Sequence, residues 1–143
     1  MSNYATENLR TLALVGHGSC GKTTLIEAML YRAGMIPEMG SIQRGTTMCD
    51  NDLLEKEVVH SIRLAVAHID TAMTDLTPVR IHIFDTPGYP DYLGQDMSAL
   101  DAVKSVCAVI DPTKGPELLT RRLMAMAKER GLCRMIVINH MDD

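Results

Sequence analysis

LVGHGSCGKTTL, residues Leu14 to Leu25, decides the fold. An apolar run leads into two glycines five apart, Gly16 and Gly21, and Lys22 and Thr23 follow directly. This is the spacing G-x-x-x-x-G-K-[ST]. A glycine-rich turn lets the backbone wrap a phosphate closely, and a helix starting there presents unpaired N–H groups and a positive dipole end. His17, Gly18, Ser19, Cys20, Gly21, Lys22, Thr23 and Thr24 would form the cradle. Lys22 would reach the terminal phosphates, and the Thr23 hydroxyl would ligate Mg²⁺. Within the loop His17 reads as structural. Cys20 reads as accessible when the site is empty, not as a catalytic thiol.

Outward from that loop, strand and helix alternate. Thr11–Gly16 reads as a buried strand and Thr23–Tyr31 as a helix with Leu25, Ile26, Met29 and Leu30 on its apolar face, stopped near Gly34. Residues 35–60 carry no clear period and read as a long functional loop. In SIRLAVAHID, residues 61–70, the alternation puts Ile62, Leu64, Val66 and His68 on one face of a strand. Val79–Asp85 is a second strand after a short turn, so the two form an antiparallel hairpin at a sheet edge. A helix near Leu93–Val103, a strand over Ser105–Asp111, a helix with Leu119, Leu123, Met126 and Ala127 inward and a Gly131 stop, and a strand over Arg134–Asn139 complete the pattern. The fold class is therefore α/β: a mostly parallel sheet with that one antiparallel edge hairpin and helices on both faces. Gly16, Asp85 and Asn139 all end strands, where such sheets bind ligands.

Two further motifs lie at those ends. In DTPG, residues 85–88, a strand-end carboxylate can hold Mg²⁺ through water, and the Gly88 N–H can meet a γ-phosphate. In NHMD, residues 139–142, Asp142 can accept both donors of a guanine edge, a pair that adenine lacks. Asn139 would bond the base and brace the phosphate loop. The order phosphate loop, DTPG, N-x-x-D favours a guanine nucleotide.

Composition narrows the classes. The 143 residues are 46% hydrophobic and 22% charged, the size and balance of one globular domain. There is no Trp and one Phe, and eleven Met help fill the apolar volume. A net charge of −4 argues against a general nucleic-acid clamp, though not against docking on RNA through a local patch. No apolar run approaches the ~20 residues of a membrane span. The N-terminus has no signal core, and the four cysteines form no C-x-x-C pair, as in a reducing cytosol. His82 reads as a packed or surface strand residue, and Arg121, Arg122 and Lys128 as a solvated helix face.

Together GHGSCGKTT, GTTMCD, DTPGYPDY and NHMD resemble the GTP-binding domain of the translational GTPases, and within them elongation factor G and its elongation factor G-like branch. The resemblance covers essentially the whole chain. It implies a phosphate-loop GTPase fold, a GTP/GDP switch with Mg²⁺ in the cytoplasm, and docking of the full-length protein on the ribosome and its RNA, with no DNA and no membrane as partner. It also implies that residues 1–143 are a GTP-binding domain incomplete at its C-terminus, truncated before the last strand and the last guanine loop.

Four departures from the family pattern are expected to matter. The switch threonine that holds Mg²⁺ falls on Ser61, which keeps the hydroxyl; Thr46-Thr47 is the alternative. The lysine covering the base is His140. Ser19 replaces a frequent Asp, and Gly18 a frequent apolar gate residue. The histidine after DTPG is Tyr89, and a phenol cannot supply an imidazolium. Lys22, Gly88 and Tyr89 are therefore the candidate catalytic set, Thr23, Ser61 and Asp85 the metal set, and slow hydrolysis is the expectation. A non-hydrolysing GTP/GDP-sensing module is the alternative.

Overall fold

A computed structural model describes residues 4–49 and 63–141. Its strands are β1 (Leu9–Val15), β2 (Ala65–Ala72), β3 (Pro78–Asp85), β4 (Ser105–Ile110) and β5 (Cys133–Ile138). Its helices are α1 (Lys22–Arg32), α2 (Leu93–Ala102) and α3 (Leu118–Glu129), with short 3₁₀ turns at Thr6–Asn8 and Pro90–Tyr92.

The strands form one sheet in the order β2-β3-β1-β4-β5. β3, β1, β4 and β5 are parallel, and β2 pairs antiparallel with β3 as the expected edge hairpin. The period-2 alternation of the central strands divides the core in two. Leu14, Cys107, Val109 and Ile83 face α1, whose Ile26 and Leu30 lie one turn apart. Ala13, Val15, Val106 and Ala108 face the other way, onto Ala99 and Leu100 of α2 and Leu123 and Ala127 of α3. Helices thus cover both faces, and such central strands read as continuous apolar runs. Gly34 and Gly131 follow α1 and α3 with φ of 70° and 68°, the left-handed closure expected at both ends.

One expectation is overturned. In β2 the inward residues are Ala65, Ala67 and Ile69, whereas Val66 is 56% exposed. The face assigned to Val66 and His68 is the outer one. β2 is an edge strand, so only the side towards α1 is covered, and Ile69 fixes the register by packing with Ile83. Leu64, just before the strand, packs instead with the cluster on the opposite face. β5 forms the other edge of the described sheet, with Met135, Ile136 and Ile138 exposed.

The parallel pairing has one consequence for function. Leu14 lies beside Asp85, Val15 beside Ala108, and Ile110 beside Ile138. The segments leaving β1, β3, β4 and β5 therefore emerge on one rim.

Candidate functional site

At this rim the loop after β1 turns into α1 at Gly21, which caps the helix in the left-handed region with φ 87°. Only glycine takes that conformation freely. A side chain there would also run into Asn139. Asn139 donates from Nδ2 to the Cys20 carbonyl at 3.0 Å, tying the segment after β5 to the loop after β1. The first N–H groups of α1 face the rim, as an anion site requires.

Lys22 is buried on this turn. Its ammonium donates to the carbonyls of His17 at 2.9 Å and Gly16 at 3.2 Å, which folds it over the loop. The Asp85–Gly88 segment closes on it: Gly88 has φ 81°, and a Cβ there would strike Lys22 Nζ and the Gly16 carbonyl. Thr23 donates to Asp85 Oδ2 at 2.6 Å across the rim, with both residues buried. A hydroxyl and a carboxylate so placed are two hard oxygen donors, the chemistry that suits Mg²⁺. Among the described residues no cluster of three His, Cys, Asp or Glu side chains could hold a metal.

Tyr89 is half-buried, with its ring against Gly18, where any Cβ would meet the phenol carbons and oxygen. A small residue at 18 and a large one at 89 thus fill one space. The ring stands at the wall of a cavity of about 370 Å³, which Gly21, Lys22, Thr23, Thr86 and His140 also line. Ser19 and Thr24 lie at the same wall, joined by Ile42 and Gln43 from the loop after α1.

His140, at φ 55°, brings Nδ1 to 3.4 Å from Asp111 Oδ2 at the end of β4. Asp111 also accepts from the Thr113 hydroxyl and N–H, and these, with a smaller contribution from His140, hold its carboxyl down at about 2. His17 is buried, donates from Nδ1 to the Gly18 carbonyl at 2.6 Å, and lies 3.9 Å from Glu117 at the start of α3. Burial raises the Cys20 thiol above its ordinary value, consistent with no thiolate chemistry there. That thiol is fully buried in this conformation, against the expected accessibility.

The structure therefore brings together the loop residues 16–24, Asp85, Gly88, Tyr89, Asn139 and His140. Ser61 and Asp142 lie outside the described residues. Of the alternative pair, Thr46 accepts from the Ser41 N–H in a turn of its own, and Thr47 is buried. Sequence reasoning missed Glu27, Asp96, Asp111 and Glu117, each buried beside or paired with a residue of the rim or its loops. A charged residue on an apolar helix face was the one available signal, at Glu27 beside Ile26 and Leu30.

Residues 7–143 match the family described as the elongation factor Tu GTP binding domain. The chain is 35% identical over 134 residues to an elongation factor G-like protein of Mycobacterium tuberculosis, covering 94% of this chain and 18% of that protein. It is 33% identical over 131 residues to the tetracycline resistance protein TetM of Enterococcus faecalis, covering 92% and 20%. A crystal structure of a Thermus thermophilus protein superposes with a TM-score of 0.82 at 35% identity, over 90% of this chain and 19% of the other. A bacterial selenocysteine-specific elongation factor superposes with a TM-score of 0.72 at 25% identity, over 93% and 20%. The chain thus spans about a fifth of the length of these relatives.

Proposed function

Because this chain belongs to the elongation factor Tu GTP-binding domain family, we propose that it binds guanine nucleotide with Mg²⁺ and hydrolyses GTP slowly in a ribosome-linked switch. The observation that carries the reading is the convergence on one loop: Lys22 over it, Asp85 bonded to Thr23, and Asn139 bonded to Cys20.

In this reading Lys22 and the N–H groups of the first α1 turn neutralise charge on the phosphate oxygens. Thr23 and Asp85, with Ser61, would hold Mg²⁺, which supplies further charge neutralisation there. Gly88 offers its N–H to the γ-phosphate. Asn139 and Asp142 read the guanine edge, and His140 lies over the base where it can stack. His17, Gly18, Ser19, Cys20, Gly21 and Thr24 shape the phosphate cradle. Tyr89 stands where a histidine would orient the attacking water. Its phenol can hydrogen-bond, but it carries no positive charge, so hydrolysis is slow without a partner. The ribosome supplies that partner for the full-length protein, in the cytoplasm.

The seat of Tyr89 on Gly18 supports a second reading, a GTP/GDP-sensing module that does not turn over. Calorimetric titration of the chain with GDP, GTP and ATP, each with Mg²⁺, tests the nucleotide assignment. Binding of GDP and GTP but not ATP is expected. Equal binding of ATP would refute the guanine reading. Turnover of GTP with ribosomes separates the switch enzyme from the sensing module.

A further inference from the structure

Beneath the Asp85–Gly88 segment lies a carboxylate that the proposed chemistry does not use. Asp96 lies in the first turn of α2, fully buried, and among the described residues neither of its oxygens has a hydrogen-bond partner. The Thr86 hydroxyl adjoins it, but that hydroxyl's single proton goes to the Leu14 carbonyl at 2.8 Å. Lys22 is the charge that acts on it, yet the ammonium donates to Gly16 and His17 carbonyls and not to Asp96. Among the described residues, the elements packed on α2 bring no further charged group to its oxygens. Arg10 of β1 is exposed and bonded to Glu7 and Leu9 carbonyls. Asp91 in the 3₁₀ turn is exposed, as are Arg121, Arg122, Lys128 and Glu129 of α3.

A buried ionised carboxylate without donors is costly. A protonated one is not, because its O–H can donate to a lone pair of the Thr86 oxygen. Each choice bears on the segment that closes the phosphate loop, since Thr86 is the second residue of DTPG.

We infer that Asp96 is a proton-dependent latch of the Asp85–Gly88 segment: protonated, it stays buried beneath the segment at little cost, and ionised, it favours the segment's release. The device concerns the segment's position and does not depend on which nucleotide the loop holds. Burial raises the Asp96 carboxyl from 3.8 to about 6, against smaller lowering effects of Thr86 and Lys22. The sign follows from linkage. The closed form binds more protons than an open form with an ordinary, solvated carboxyl. Closure is therefore strongest below about pH 4, weakens as pH rises towards about 6, and levels off above that.

Two measurements on the 143-residue chain test this. Hydrogen exchange, corrected for intrinsic rates, is followed at the Thr86, Gly88, Tyr89 and Tyr92 amides of the wild type and Asp96→Asn. The asparagine amide mimics the protonated acid at every pH. With carboxyl values of 3.8 open and about 6 closed, wild-type protection falls on the order of 20-fold between pH 4.5 and 7. The variant's protection stays level over that range. The same pH dependence in both proteins would overturn the latch. A carbon-13 carboxyl titration of the wild type needs no variant: a midpoint near 6 is expected for Asp96, and one at or below 5 would overturn the inference.

Discussion

Glu27 is the anchor of the loop that leads from α1 towards the cavity wall, and its replacement gives a graded test of that role. The side chain is 1% exposed on α1, between the core residue Ile26 and the site at the helix start. One carboxylate oxygen accepts from the Gly40 N–H at 2.9 Å and the other from the Met48 N–H at 2.6 Å. The span between these two amides contains Ile42 and Gln43, which line the cavity. Hydrogen bonds to a charged group contribute roughly 1.5–3 kcal/mol each where desolvated. Both bonds here are only partly buried, so the lower end applies. Glu27→Gln keeps one acceptor oxygen and turns an amide donor against the other N–H. Loss of one bond at about 1.5 kcal/mol corresponds to roughly tenfold in the opening equilibrium. Glu27→Ala loses both, for about 3 kcal/mol and roughly 100-fold. Amide exchange at Gly40 and Met48 reads these directly, because it reports local opening as well as global unfolding. The two amides should lose protection together and in that order across the two variants, with β1 and β4 amides losing less. Unchanged exchange at Gly40 and Met48 in Glu27→Gln would refute the carboxylate as the loop's anchor.

Leu123→Ala removes a fully buried side chain between α3 and the sheet face of Ala13, Val106 and Ala108; a loss of about 3 kcal/mol is expected, read as a lower denaturant midpoint at an unchanged slope. Gly18→Ala places a methyl where the Tyr89 ring lies, so the ring must leave; Tyr89→Ala in the same chain should recover most of the lost stability, and additive effects of the two changes would deny the contact. Tyr89→His should raise the GTP turnover rate, with ribosomes if not without them, and no gain in either condition counts against Tyr89 as the brake.

How far the sequence reaches into this site depends on where each partner sits along the chain. The loop before α1 was legible because its glycines, lysine and threonine occupy adjacent positions of one turn, so spacing alone encodes their geometry. Asp85, Gly88 and Asn139 were legible for a related reason: each ends a strand or lies in the turn just after one, and parallel strands bring their ends to one rim. The β2 register was not legible, because Val66 and Ile69 are equally apolar and only the one-sided cover of an edge strand decides between them.

Asp96 shows the deeper limit. On a helix, an aspartate flanked by Gln95 and Met97 reads as a residue facing water. Its burial follows only from the way α2 lies against β1 under the residue after Asp85. The same holds for Glu27 with Gly40 and Met48, and for Asp111 with His140. Glu27 and Asp111 bond to loop and rim residues, and the proposed ligand contacts belong to those residues. Short motifs record which groups meet a phosphate or a base. How firmly each of those groups is held depends on contacts made across 13 or more positions, such as Glu27 with Gly40 and Asp111 with His140. Two chains with identical motifs can therefore close their loops with different ease, and in this chain the Glu27 variants and the proposed Asp96 latch are where that difference is tested.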